Sequence, residues 1–274
     1  METGENYKLL LESKQYVSGT VTHENPGTYV EKFKKALGNV EVKSIDVKLG
    51  NPVKIGESEI EHIAYPRYSI EARVGAKDIP IGDEMFINVI GIVVAMDLMS
   101  PKVKIYTGMN AKSCLNLNIY NASDIYEENL MSRSLYSWNI LNGFAINHEE
   151  KVKRYKETVE TMYSRKLYRN DVYKILGSLL MDTSPAKEKV QPSIITAAAK
   201  SMADTNSRYH FLEHTSAFNV LNAMTQGITD SPDILYKPNK TLALCEKLYN
   251  ISEEFVRKEV TLPAIENINS ETID

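Results

Sequence analysis

Cysteine is scarce in this sequence: there are two in 274 residues, Cys114 and Cys245, far apart and each with an apolar leucine beside it. Neither falls in a zinc or redox spacing, so each reads as a small buried thiol, and a reducing compartment is expected. Long apolar runs are missing as well. The richest, Met85 to Met99, contains Asn88 and Asp97 and is too short and too polar to span a bilayer as a helix. The opening stretch METGENYKLLLESKQ carries acids where a secretory leader needs a basic flank, so a cytoplasmic location and no membrane partner are expected. An excess of one charge is also lacking. Against 32 Lys and Arg stand 36 Asp and Glu, a net charge of −4, which gives no global pull toward nucleic acid or membrane. There is no P-loop, no G-x-G-x-x-G following a strand and no serine or cysteine in a nucleophile elbow. Those absences exclude the common routes to nucleotide binding and acyl transfer, and they leave no cofactor and no catalytic residue to assign.

A change of hydrophobic period is what the sequence does have. The front half alternates. A first strand is expected over Lys14 to Thr22, ending in the turn signal Asn25-Pro26-Gly27. Thr28 and Glu31 have capping-box spacing and open one short helix carrying Val30, Phe33 and Leu37, stopped by Gly38. Val40 and Val42 then alternate in one phase, and Ile45, Val47 and Leu49 in the other, which predicts a bulge or tight turn near Lys43-Ser44. Tyr68, Ile70, Ala72 and Val74 mark a half-buried strand. Phe86 to Met96 is nearly continuous and β-branched, as in a central strand covered on both faces. Val103 to Tyr106 and Cys114 to Ile119 complete the set. Connections this short require mostly antiparallel pairing.

Between Asn121 and Asn147 the period becomes 3.6. Asn147 with Glu150 signals a helix carrying Val152, Tyr155, Val159 and Met162. Further helices are expected from Asn170-Asp171, from the Ser184-Pro185 cap, over Ile194 to Met202, from Thr215 to Gly227, and from about Thr241 to Val256. The expected fold is therefore α+β, with a mostly antiparallel sheet and one short helix in the N-terminal half and a helical C-terminal half. Residues 1–125 form the β-rich region, 126–262 the helical region packed on it, and 263–274 a polar tail.

Two clusters carry chemistry. From Lys151 to Lys174 eight cations face three carboxylates, a local balance of +5 in a negative protein, with four tyrosines interleaved. Cations for phosphates and rings for stacked bases suit single-stranded nucleic acid, and Lys151, Lys153, Arg154, Lys156, Tyr163, Arg165, Lys166 and Arg169 are the candidate contacts. The plainer reading is a solvated helix face whose tyrosines pack inward, as Tyr155 does on the apolar stripe. The second cluster is His210-Phe211-Leu212-Glu213-His214, an H-x-x-E-H pattern that could hold zinc with a third ligand from Glu246, Glu253 or Glu254. Thr215 reads as a helix cap, which places both histidines before the helix and spoils their spacing on one turn.

Three segments resemble a family. Ser18-Gly19-Thr20-Val21, Lys112-Ser113-Cys114-Leu115-Asn116 and Asn222-Ala223-Met224-Thr225, the last preceded by Phe218, are similar in order to an uncharacterised family of phages and plasmids, domain of unknown function 932. The resemblance runs from about residue 16 to 230 and implies a mobile-element context, in the host cytoplasm, without assigning catalytic residues. The expectation is a non-enzymatic phage or mobile-element protein that binds single-stranded DNA in replication or recombination. The alternatives are a phage structural or assembly protein, as a homo-oligomer or with other phage proteins, and a zinc hydrolase built on the H-x-x-E-H stretch.

Overall fold

Arg67 to Ala111 supplies the centre of the protein, because three long strands follow one another there with turns too tight for anything but antiparallel pairing. The computed structural model describes residues 2–14, 17–18, 21–22, 25–55, 62–98, 101–112, 116–129, 137–186, 188–231 and 234–260. Numbering only the strands of the large sheet, these are β1 (Glu2–Thr3), β2 (Val42–Leu49), β3 (Arg67–Ile81), β4 (Glu84–Ala95), β5 (Lys102–Ala111), β6 (Leu117–Asn118) and β7 (Ile125–Asn129). The order is β1-β2-β3-β4-β5, with β6 and β7 both pairing with β5, and only β1 with β2 is parallel. Short two-stranded ribbons join Val17–Ser18 to Val21–Thr22, Val53–Ile55 to His62–Ala64, and Lys166–Tyr168 to His214–Ser216.

The helices are α1 (Glu5–Glu12), α2 (Pro26–Leu37), α3 (Ser137–Ile146), α4 (His148–Ser164), α5 (Arg169–Leu180), α6 (Pro192–Ala203), α7 (Ala217–Asp230) and α8 (Lys237–Val260). The alternation of β3 puts Tyr68, Ile70, Ala72 and Val74 on one face. There they meet Ile90, Ile92 and Val94 of β4 and are covered by α1, α2 and α3. On the opposite face Val89 and Val93 pack with Leu117, Ile119, Ile234 and Leu235. At the turn end of the sheet Phe86 and Met109 enter a third cluster with α4 to α8, where Phe86 meets Phe218 edge-on at 5.5 Å. Strand β4, buried from Phe86 to Ala95, is the doubly covered strand its composition predicts.

The sheet-then-helix partition stands, with the switch between Asn129 and Ser137. The register shift between Val42 and Ser44 is the bulge expected from the phase slip. Several local expectations are corrected. Helix α1 replaces the single-helix expectation, since Tyr7 and Leu10 have enough apolar surface to dock on β2 and α2. Helix α2 starts at Pro26, not Thr28, because the Asn25 side chain accepts from the Gly27 amide at 2.8 Å and proline suits the first turn. Ser184-Pro185 opens no helix. Helix α6 begins at Pro192, and α7 runs past Gly227 to Asp230. The strand expected over Cys114 to Ile119 is described only at Leu117–Asn118, and Cys114 and the tail 263–274 lie outside the described residues. Among the described residues no helix is long and apolar enough to cross a membrane.

Ser184 has a different task. Its amide donates to Asp182 Oδ1 at 3.0 Å, while Lys247 of α8 donates to Asp182 and, at 2.8 Å, to the Ser184 hydroxyl. Desolvation raises the Asp182 carboxyl, but the bonds from Lys247 and Ser184 outweigh it and bring the pKa down to about 2. A depressed carboxylate adds stability above its unfolded pKa and loses it as pH falls through the folded value. Asp182→Asn should therefore cost about 1–2 kcal/mol near pH 6, with the gap from wild type closing between roughly pH 4 and 2. Urea titrations of both proteins at several pH values check this; a gap unchanged at pH 2 would sink it.

Candidate functional site

The polar phase of β2 and β3 is the half of the alternation that faces away from α1 to α3. It carries Asp46, Lys48, Ser69, Glu71 and Arg73, which on an open sheet would face water. Here the last turn of α7 (Gln226, Thr229, Asp230) and the first residue of α8, Lys237, stand over them and enclose a cleft of about 390 Å³. Tyr106 and Asn110 of β5 close its third side.

One row of the sheet explains the shape of this cleft. Asp46 pairs with Glu71, Glu71 with Gly91, and Gly91 with Tyr106, four positions in line across β2 to β5. Gly91 leaves the row empty at β4. A Cβ there would lie 2.3 Å from Cζ of Tyr106, so only glycine lets that ring lie across the strand. The Tyr106 hydroxyl thereby reaches Glu71 Oε2 at 2.9 Å, and Asn110 Nδ2 donates to Oε1 at 2.7 Å. Burial, reinforced by Glu71, pushes the Tyr106 phenol well above its ordinary pKa, which keeps it a donor. Beside Glu71, Arg73 Nη2 sits 2.7 Å from Asp46 Oδ2 and offsets the repulsion of the facing carboxylates.

The cation side is less satisfied. Lys48 Nζ donates to the Thr229 carbonyl at 2.8 Å, and Gln226 Nε2 donates to Asp230 at 2.8 Å. Lys237 has neither a hydrogen-bond acceptor nor an ion-pair partner among the described residues. Desolvation is the main cause that lowers its pKa to about 8, with the Lys48 ammonium adding to it and Glu71 and Asp230 opposing. Four further atoms in residues lining the cleft are buried without a hydrogen-bond partner among the described residues: Asp46 Oδ2, which has only its ion pair with Arg73, and Arg73 Nε, Asn110 Oδ1 and Thr229 Oγ1. A buried polar atom left unpaired costs about 1–3 kcal/mol, a cost that these residues carry beside an open cleft.

The two motifs that stood apart in sequence meet behind this wall. Asn116 Nδ2 donates to the Asn222 carbonyl at 2.8 Å and to its Oδ1 at 3.2 Å, with both residues buried. Tyr209 joins them at 3.4 Å, and its hydroxyl also reaches Gln226 at 3.4 Å, so the motif pair is linked to the cleft wall. Glu71, Arg73 and Lys237 were not singled out from sequence. The visible signal was Ser69-x-Glu71-x-Arg73 in the polar phase of a strand, with a glycine at position 91 inside a β-branched run. Lys237 had no signal, since only the long-range docking of α8 brings it there.

The eight candidate nucleic-acid contacts are dispersed by the fold. Lys151 and Arg154 turn onto the buried carboxylate of Asp124, at 2.7 and 3.1 Å, and Lys151 also lies 3.9 Å from the centre of the Phe144 ring. Arg165 is 7 % exposed and is spent inside, on the Tyr249 carbonyl, the Ser252 hydroxyl and the Tyr249 ring. Tyr163 stacks on Phe218 at 4.6 Å. Lys153 and Lys156 are exposed on α4, Lys156 pairing with Glu160. Lys166 and Arg169 are also exposed and lie together at the α4–α5 connection, beside exposed Tyr168 and Tyr173.

The H-x-x-E-H stretch does not form a helical turn. His214 belongs to a strand paired with Tyr168, and His210 lies in an irregular segment four residues earlier. Among the described residues no three His, Cys, Asp or Glu side chains are grouped to hold a metal ion, so the zinc-hydrolase alternative loses its geometry. Comparisons of the chain with protein-family models, with curated proteins and with solved structures return no match.

Proposed function

We propose that this chain is a binding protein for a small polar molecule, held in the cleft between β2, β3 and the α7–α8 junction. The carrying observation is the lining of the cleft, which brings Lys48, Arg73 and Lys237 together with Asp46, Glu71 and Asp230, the ammonium of Lys237 being unpaired among the described residues. Donors and acceptors of both charges line it, which favours a ligand with an acidic or acceptor end and a donor end over a simple anion. A thermal-shift panel of amino acids, small dicarboxylates, nucleoside monophosphates and polyamines tests this. Ligand at a hundred times its Kd adds about 2.7 kcal/mol, a rise in Tm of roughly 5 °C. One class should produce that rise, and Glu71→Gln should abolish it; no class doing so, or a shift indifferent to Glu71, removes the reading.

A second reading keeps nucleic acid but moves it. Lys166, Tyr168, Arg169 and Tyr173 form an exposed basic and aromatic surface, and Arg169, Tyr173 and Phe211 line a small recess of about 110 Å³ beside it. That arrangement suits a single strand with one base in the recess. A mobile-element origin is supported by the motif resemblance alone.

A further inference from the structure

Resting on the cleft as a ligand site, we infer that Lys237 is a nucleophilic amine that captures the carbonyl carbon of a small aldehyde or ketone bound there, as an imine. Four features of its position support this. Its ammonium has no partner among the described residues, so no existing bond must break before it reacts. It is the first residue of α8, where the positive end of the helix disfavours a further positive charge. Lys48, anchored on the Thr229 carbonyl, adds a second cation from the facing strand. A lysine desolvated beside another cation is the arrangement that keeps a fraction of amine neutral near neutral pH. The fourth feature is the carboxylates of Glu71 and Asp230, which face it from β3 and α7.

The charged and titratable groups around Lys237 are accounted for. Lys48 and Asp46 come from β2, Glu71 and Arg73 from β3, Tyr106 from β5, and Asp230 from α7. Asp46 and Arg73 are paired to each other, and Tyr106 donates to Glu71. The chemistry balances without an oxidant or a metal. The amine lone pair forms the C–N bond while the carbonyl π pair moves to oxygen, giving a carbinolamine. Two protons move from nitrogen to oxygen. Glu71 or Asp230 takes one from the ammonium before attack, and one passes from the attacking nitrogen to the alkoxide. The carboxyl then returns the first to the hydroxyl, which leaves as water while the nitrogen lone pair closes the C=N bond. The product is a protonated imine, held between the two carboxylates.

Sodium cyanoborohydride freezes such an imine as a stable secondary amine, so the test is reductive trapping at pH 7.5 with glycolaldehyde (neutral) and with pyruvate (anionic), followed by peptide mass mapping. We expect the adduct at Lys237 at least about tenfold above exposed Lys153 with one of the two probes, and the responding probe shows whether the ligand carries a negative charge. Lys237→Arg should keep the positive charge and remove the adduct. Lys48→Met should raise the Lys237 pKa, move the pH of half-maximal labelling upward and slow labelling at pH 7.5 about threefold or more, a shift a structural lysine would not show. Labelling of Lys237 no faster than Lys153 overturns the imine. If a non-covalent ligand still raises Tm in a Glu71-dependent way, only the imine is lost; if neither is seen, the cleft reading falls too.

Discussion

Replacing Asp124 with alanine should remove about 3–5 kcal/mol of stability, a large share of the 5–15 kcal/mol that holds a typical domain together. Asp124 closes the 3₁₀ turn Ala122–Asp124 before β7 and is fully buried, accepting from Lys151 at 2.7 Å and Arg154 at 3.1 Å. Two cations from α4 converge on it, and Lys151 is itself mostly buried against Phe144. Without the carboxylate, Lys151 must either stay desolvated and unpaired or swing out and open the contact between α3 and α4. Arg154, about half exposed, can return to water. Arg154→Met should therefore cost under about 1 kcal/mol, as exposed pairs do, and Lys151→Met an intermediate amount. Denaturant unfolding of the three variants, with a double-mutant cycle between positions 124 and 151, reads the difference. A cost below about 1 kcal/mol for Asp124→Ala would show that the carboxylate is not what docks α4.

The same residues show what the sequence could and could not disclose. Periodicity located β3, β4, the bulge at Val42–Ser44 and the apolar stripe Tyr155-Val159-Met162 of α4, because each is set by neighbours within a few residues. Charge counting over Lys151 to Lys174 gave a surplus, yet charge has no direction along a chain. Lys151, Arg154 and Arg165 take partners 27, 30 and 84 or more residues away, and no window over α4 contains them. The cleft was hidden for the same reason. Glu71 and Arg73 occupy the positions where an exposed strand face carries charge, and only the arrival of α7 and α8 turns that face into a cavity. The Asn116 and Asn222 motifs were legible as segments, but their hydrogen bond spans 106 residues.

Gly91 offers the sharpest test of how that cavity is held. Gly91→Val should cost about 3 kcal/mol or more, at the upper end of what overpacking a core does, because the added carbons occupy the space of a buried tyrosine. The Cβ alone would sit 2.5 Å from the Tyr106 hydroxyl oxygen, and the ring has the sheet beneath it. If Tyr106 leaves, Glu71 keeps only the Asn110 bond and loses the donor that fixes its second oxygen. Ligand binding should then fail along with stability. Tyr106→Phe separates the two effects: it keeps the ring over Gly91 and should cost about 1–2 kcal/mol for the lost hydrogen bond. Tyr106→Leu in the Gly91→Val background should recover part of the stability, since the clash is gone, without recovering binding, since Glu71 is still short of a donor. That split, measured by unfolding and by ligand-induced Tm shift on the same proteins, is the expected result. Full additivity of the two substitutions would mean that glycine at position 91 serves the strand alone, and that the reach of Tyr106 to Glu71 does not depend on it.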